Sequence, residues 1–280
     1  MAGVSQKNIK SRIRSLKSTL QITKAMETVA NSKLRKAQAQ LHAARPYCQI
    51  LQKTLKTILS HNRDLASGYL KIPEGTRAAY VVIAGDRGLA GGYYHNLFKL
   101  LIQELEGKEA VVVPVGKKAV EFSHGKTLPV LQESMVAERI TAEDCFALGQ
   151  LLADRFLAGQ TDAVYVVYTR FASVLRQEPK VLRLLPLVRE ESTGEKTGGS
   201  DILYEPDSEE VFGRIVPEYL GGVLYGALCE SRTSEQAARR TAMDTASKNA
   251  DEMIGDLRLV YNRVRQAAIT QEITQIVAGN

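Results

Sequence analysis

Two stretches of the chain carry apolar residues at steps of four and three. In the first they fall at Ile9, Ile13, Leu16, Leu20, Thr23, Ala30, Leu34, Ala37, Leu41, Ala44, Cys48, Leu51, Leu55 and Ile58. That spacing is the narrow stripe of a coiled-coil helix, not the wider face of a globular one. No Gly or Pro interrupts the run between Val4 and Arg45. Its one fault is Glu27, where the apolar residues move to a neighbouring line of Ile22, Met26 and Val29. Pro46 removes a hydrogen bond and crowds the preceding turn, so a kink is expected near residues 42–46. A helix of about 50 residues would be roughly 75 Å long, longer than an ordinary domain is wide, so it is expected to protrude. The second stretch runs through Ala238, Ala242, Ala246, Ala250, Met253, Leu257, Val260, Val264 and Ala267. Gly255 within it costs about 1 kcal/mol relative to Ala, which a single buried leucine, at roughly 1.5–3 kcal/mol, offsets. Small residues in this ladder permit close helix approach. Two such ladders at opposite ends of one chain most simply pair antiparallel.

The pattern changes between them. Residues 78–84, 110–115 and 163–168 are continuous apolar runs, the mark of strands buried on both faces. A Gly-rich turn and a helix near Tyr94–Leu105 follow the first run, and a short helix containing Val120 follows the second after Gly116. Thr141-Ala-Glu-Asp144 has the form of a capping box opening a helix with Cys145, Leu148, Leu152 and Phe156 on one face. Residues 174–188 add one or two further strands. Alternating strands and helices predict an α/β domain with a largely parallel sheet. The resulting division is an N-terminal coiled-coil helix over 1–65, a central α/β domain over 66–203 ending in the polar linker 189–202, and a C-terminal coiled-coil helix over 204–280.

Charge sharpens this picture. The 280 residues carry a net +6, but residues 1–60 hold twelve Lys or Arg and one acid, a balance of +11, while the other 220 run at −5. Eleven uncompensated charges on one helix repel each other and call for an acidic partner. Nucleic acid fits poorly, because Tyr47 is the only aromatic in the segment and no nucleic-acid module is present. An acidic protein surface fits better. The C-terminal tip is the reverse: after Arg265 only Glu272 is charged, and Ile269, Ile273, Ile276 and Val277 form an apolar stripe. It reads either as more coiled coil or as a helix end seated in an apolar socket of other chains.

Candidate chemistry is sparse. Gly85-Asp-Arg-Gly-Leu-Ala-Gly-Gly92 lies between a strand and a helix, but its G-x-x-G-x-x-G-G spacing is not a dinucleotide fingerprint. A tight structural turn is the better reading, and phosphate binding the alternative. Gly125-Lys126-Thr127 resembles the end of a P-loop, yet Val120 stands where its first glycine belongs. The four histidines and the three cysteines (Cys48, Cys145, Cys229) show no ligand spacing, so the cysteines read as packing thiols in a reducing compartment. No catalytic, cofactor-binding or metal residue is expected. The N-terminus lacks a secretory h-region and no stretch approaches the roughly 20 apolar residues of a membrane span.

Four segments, in order, closely resemble the gamma subunit family of F-type ATP synthase: Ile22-Thr-Lys-Ala-Met-Glu-Thr-Val-Ala-Asn-Ser-Lys33, Gly85–Gly92, Glu230-Ser-Arg-Thr-Ser-Glu-Gln-Ala-Ala-Arg239 and Tyr261-Asn-Arg-Val-Arg-Gln-Ala-Ala-Ile-Thr-Gln-Glu272. The resemblance covers essentially the whole chain. It implies an antiparallel coiled coil of the terminal helices with a central Rossmann-like α/β domain, acting as a rotor shaft. The shaft would couple proton-driven rotation to ATP synthesis in a ring of alpha and beta subunits, with ATP chemistry on beta and none on this chain. The other implied partners are the epsilon subunit and the membrane c-ring. By motif, Lys24, Met26 and Arg35 would lie near acidic loops of beta, Arg239 and Gln266 would make polar contacts with beta, and Ile269, Ile273 and Ile276 would occupy an apolar bearing. The expected location is peripheral, on the cytoplasmic face of a bacterial inner membrane. Arg232-Thr233 departs from the family's small apolar pair, and Ala90 stands where many relatives carry Cys. The competing readings are a stand-alone α/β nucleotide-binding protein with helical arms, and a basic-helix module for nucleic acid or anionic membrane.

Overall fold

A computed structural model describes residues 6–62, 65–132, 136–189, 205 and 207–279. The linker read over 189–202 therefore lies, apart from Arg189, outside the described residues. The order of elements is α1 (Gln6–His61), a 3-10 turn (Gly68–Leu70), β1 (Ala78–Ile83), α2 (Tyr93–Leu105), β2 (Ala110–Val115), α3 (Lys117–Gly125), α4 (Ala142–Leu157), β3 (Ala163–Phe171), β4 (Gln177–Leu185) and α5 (Ser208–Ala278). The chain divides into two compact units, Met1–Lys33 with Arg239–Asn280, and Leu34–Ala238. Both α1 and α5 run through both units.

Every seam position expected along α1 is buried or half-buried, and so is Glu27. The alternation of four and three is thus unbroken from Ile9 to Ile58, with a carboxylate at one register position. The helix continues through Pro46 rather than ending there. Pro46 and its neighbours His42, Ala43, Arg45 and Tyr47 are exposed, so water can serve the carbonyl that loses its partner. Pro217 likewise sits inside α5.

The ladder expected in α5 needs correction. Met253, Val260 and Ala267 are exposed. The residues turned inward are Met243, Ser247, Ala250, Ile254, Leu257, Tyr261, Val264 and Ala268, at strict alternating steps of four and three. Ser247 and Tyr261 do not read as apolar, so counting apolar residues alone moves the seam by a position. In the first unit the Ser247 hydroxyl donates to Thr23 Oγ1 at 2.8 Å, and Gln6 Nε2 donates to the Tyr261 hydroxyl at 3.1 Å. Rising numbers on one helix meet falling numbers on the other, so the pair is antiparallel.

The second unit is built on a four-stranded sheet in the order β2-β1-β3-β4. β1 pairs parallel with β2 and with β3, while β4 pairs antiparallel with β3 and forms an edge. One strand, not two, thus comes from residues 174–188. Side chains alternate between two cores, as period two requires. Ala79, Val81 and Ile83 face a core with α4, α5 and Leu55 and Ile58 of α1. Tyr80 and Val82 face another with Leu97 and Leu101 of α2 and Ala119 of α3. The Thr141 capping box is present, its hydroxyl accepting from the Asp144 amide while the Asp144 carboxylate accepts from the Thr141 amide. The α4 and α5 backbones meet at Gly149 and Gly221. A Cβ on Gly149 would lie 2.6 Å from the Gly221 nitrogen, and one on Gly221 would lie 2.7 Å from the Phe146 Cα, so neither position admits a side chain.

Candidate partner-contact surfaces

In the first unit, the seam consumes the apolar residues that face the partner helix and leaves two surfaces uncovered. Along α1, Lys7, Lys10, Arg12, Arg14, Lys17 and Lys24 are all exposed. Beside them the displaced line of Ile22, Met26 and Val29 stays open: Ile22 is 59% and Val29 57% exposed, and Met26 is half-buried. Helical spacing of four and three aligns these three residues on one stripe. A basic surface with an apolar line through it suits an acidic protein loop carrying some apolar residues.

The second uncovered surface is the end of α5. Ala268 is the last residue of the inward ladder, and beyond it the described side chains of α5 are exposed. Ile269 is 47%, Ile273 56%, Ile276 72% and Val277 73% exposed. Gln266 is exposed on the same segment. Arg239 differs from the other expected contact residues. It is buried to 8% exposure and presents a partner with little surface.

Arg35 belongs to the second unit, where it is exposed on α1. The Gly85–Gly92 motif lies in this unit and proves to be a joint. Asp86 Oδ1 accepts from the amides of Lys117 (3.0 Å) and Ala137 (3.1 Å), and Oδ2 from the amide of Glu138 (3.0 Å). Lys117 opens α3, so the Asp86 carboxylate caps that helix, whereas α2, the helix the glycine-rich loop leads into, starts at Gly92 without a side-chain cap. Arg87 pairs with Glu138 at 3.6 Å. A Cβ on Gly85 would overlap the Glu235 carboxylate, so a side chain there would displace that carboxylate.

The other half of the joint is the middle of α5, where Ser231, Thr233, Ser234 and Glu235 are buried at 0–8% exposure. Each has a bond that compensates for its burial. The Ser231 carbonyl accepts from the Tyr93 hydroxyl at 3.1 Å, and its Oγ accepts from the Thr169 amide at 3.1 Å. The Ser234 hydroxyl donates to the Thr169 carbonyl at 3.2 Å, and the Thr233 hydroxyl to the Cys229 carbonyl at 2.8 Å. The Tyr94 hydroxyl lies 3.0 Å from Glu235 Oε1 and 2.7 Å from the Arg87 carbonyl, both acceptors within its reach. Arg232 is used within the chain: its guanidinium donates to the carbonyls of Ala137 and Ile140. This network escapes a motif search because no one segment contains it. The available signal was three hydroxyl residues in the interior of a long helix, which need buried partners.

Elsewhere in this unit, Arg77 grips Asp162 through Nε and Nη2 at 3.0 and 2.9 Å, and the Arg77 amide donates to the same carboxylate. These bonds from Arg77 hold the Asp162 carboxyl below its ordinary range. Glu230 goes the other way. Burial pushes its carboxyl up, and Oε2 has no hydrogen-bond partner among the described residues. Cys48, Cys145 and Cys229 are free thiols, all shifted up by burial. No described helix is long and apolar enough to cross a membrane.

Comparison with known proteins agrees with this layout. The family described as ATP synthase matches residues 5–280. The ATP synthase gamma chain of Ruminococcus albus is 44% identical, with 98% of this chain and 97% of that one aligned. The ATP synthase gamma chain, sodium ion specific, of Acetobacterium woodii is 38% identical over 97% of this chain and 96% of its own. Among solved structures, the rotor of Euglena gracilis mitochondrial ATP synthase superposes with a TM-score of 0.67 at 20% identity, covering 95% of this chain and 100% of that one. The central stalk and c-ring structure of Tetrahymena thermophila mitochondrial ATP synthase gives 0.61 at 23% identity, covering 81% and 99%. The two structures share the fold, and the full-length sequence matches go further: the chain belongs to the ATP synthase gamma-chain family.

Proposed function

We propose that this gamma-family chain turns as the central shaft of an F-type ATP synthase, coupling ion-driven rotation to conformational change in a ring of alpha and beta subunits. The observation that carries the reading is the uncovered apolar end of α5, where three isoleucines and a valine stand 47–73% exposed. A helix end of that kind is stable in water only at a cost, roughly 25 cal/mol for each Å² of apolar surface left wet. A ring of surrounding subunits removes that cost. Its scarcity of charge suits a bearing, because buried ion pairs would have to break at each step of a turn.

In this reading Lys24 and Met26, with Arg35 further along α1, face acidic loops of the beta subunits. Gln266 contacts beta near the bearing, Arg239 acts from beneath the surface, and Ile269, Ile273 and Ile276 run in the bearing. The α/β domain rests on the epsilon subunit and the c-ring, at the cytoplasmic face of a bacterial inner membrane. ATP is made and hydrolysed on beta, while this chain supplies the moving asymmetric surface. The helix-pair unit meets the catalytic ring, and the sheet unit, which takes in α1 from Leu34 and α5 as far as Ala238, meets the membrane ring.

The test is co-purification. Tagged chain should bring down large ATP-hydrolysing subunits, and replacing Lys7, Lys10, Arg12, Arg14, Lys17 and Lys24 by Gln should weaken ATP-driven ion pumping while leaving the sheet unit folded. Recovery of the chain alone, or unchanged pumping by the neutralised variant, would overturn the reading.

A further inference from the structure

The face of the sheet that looks toward α4 and α5 is not completely filled. A cavity of about 110 Å³, partly open to solvent past the exposed Gln132 and Leu151, lies against Val81 of β1, Val113 of β2, Cys145 and Leu148 of α4, and Leu224 and Leu228 of α5. Val81, Val113, Cys145, Leu224 and Leu228 are each no more than 5% exposed, so the deep wall belongs to the folded core. Polar groups appear at the margin, where Gln132 and Asp144 also line the space. Asp144 is committed to the capping box of α4.

Cores pack nearly without voids, and the few spaces that exist hold either water or nothing. A buried water needs two to four polar partners. The deep wall offers a single thiol, a weak donor, and is otherwise hydrocarbon. Burial pushes the Cys145 thiol up to about 12, so it stays protonated at neutral pH and presents a soft sulfur, not an anion. Such a sulfur makes favourable contacts with aromatic rings, while the flanking β-branched and leucine side chains give an apolar wall. An engineered apolar cavity of about 150 Å³ in an unrelated protein stays dry and takes up benzene, which sets the scale of the ligand here at one ring.

We propose that this cavity between the sheet, α4 and α5 is a binding site for a small single-ring aromatic molecule, distinct from the partner-contact surfaces and independent of the proposed rotor role. Binding is non-covalent, since the thiol carries no charge. The ligand fills space beside α4 and so stabilises the sheet unit rather than altering the helix pair.

The experiment titrates the full-length chain, with Ile, Leu and Val methyl groups isotopically labelled, with benzene, toluene and naphthalene. Benzene or toluene should shift the methyl resonances of Val81, Val113, Leu224 and Leu228 in a saturable way. At about 100 times the dissociation constant, the melting temperature should rise by roughly 5–10 °C. Naphthalene, with two rings, should do neither. Val113→Phe, which fills the space from within, should abolish the benzene response. If Val113→Phe does not fold, the wild-type size series decides on its own. No saturable shift with benzene or toluene, shifts centred away from these four residues, or an equal response to naphthalene would each overturn the proposal.

Discussion

Along β1 the six residues from Ala78 to Ile83 are 0–3% exposed, while near the end of α5 Ile269, Ile273 and Ile276 stand 47–72% exposed. Both are runs of apolar side chains on regular backbone. The strand lies in a sheet clothed on both faces, so its residues have nowhere to go but inward. The helix end has no such cover among the described residues. The difference teaches where to look for stability and where to look for partners. Apolar residues satisfied within the chain hold it folded. Those left open, such as Ile22, Val29 and the tip isoleucines, point to contacts with something else.

The sharpest way to break that comparison is to truncate one residue on each side of it. Leu152→Ala, at 0% exposure in the core beneath the sheet, should cost about 2–5 kcal/mol. Ile273→Ala, 56% exposed, should change stability by no more than about 0.5 kcal/mol while weakening association with partner subunits. Chemical denaturation of the two variants side by side makes the measurement, and equal losses would erase the distinction.

Next in size is the joint between the Gly85 loop and α5. Gly85→Ala should destabilise the sheet unit by about 1–3 kcal/mol, because the added methyl overlaps the Glu235 carboxylate. Gly85→Ala combined with Glu235→Ala should be less than the sum of the two separate losses. Strict additivity in a denaturation cycle would remove Glu235 as the reason for the glycine.

A smaller effect appears in the pH dependence of the sheet unit. Asp162 is held below its ordinary range by Arg77, so its contribution is complete above that range and is lost as pH falls through the lowered value. Half-exposure of the Arg77 side chain keeps this contribution modest. Glu230 has the opposite sign: its raised value favours the folded state in acid, and that advantage is lost as pH rises through it. Asp162→Asn should lower the melting temperature at neutral pH and flatten the acid limb. Glu230→Gln should flatten the limb at higher pH instead. Melting curves from pH 3 to pH 8 separate the two.

Smallest is the polar step in the helix-pair seam. Ser247→Ala with Thr23→Val should show a coupling of about 0.5–1.5 kcal/mol in a double-mutant cycle. A value of zero would mean that the bond at 2.8 Å adds nothing to register.

How much of this was legible depended on which residues carried the pattern. The α1 seam and the three apolar strands could be read because burial imposes its period on side chains of one chemical kind. The α5 seam was read in the wrong register because Ser247 and Tyr261, both inward, are polar by type and are reconciled only by Thr23 and Gln6 on the other helix. β4 was blurred for a similar reason: Pro179 and Arg183 are tolerable there because the strand is an edge. Lys24 and the tip isoleucines are exposed and Met26 is half-buried, while their contact roles came from the resemblance and belong to the proposal. Burial of Arg239 and the inward use of Arg232 were hidden, since both depend on neighbours distant in sequence. Asp86 was the largest omission. A carboxylate inside a glycine-rich loop looks like a feature for ligands until its acceptor oxygens are traced to three amides of the same chain.

The Asp86 joint has a consequence for what the fold needs from solution. The amides of Lys117, Ala137 and Glu138 are held by a tethered carboxylate, whose effective concentration is in the mM range or above for short connections. A free nucleotide would have to displace it to gain the same donors. The joint is therefore locked by a charge the chain itself supplies, so the packing of α3 and of residues 137–138 against the loop does not depend on an anion from solution.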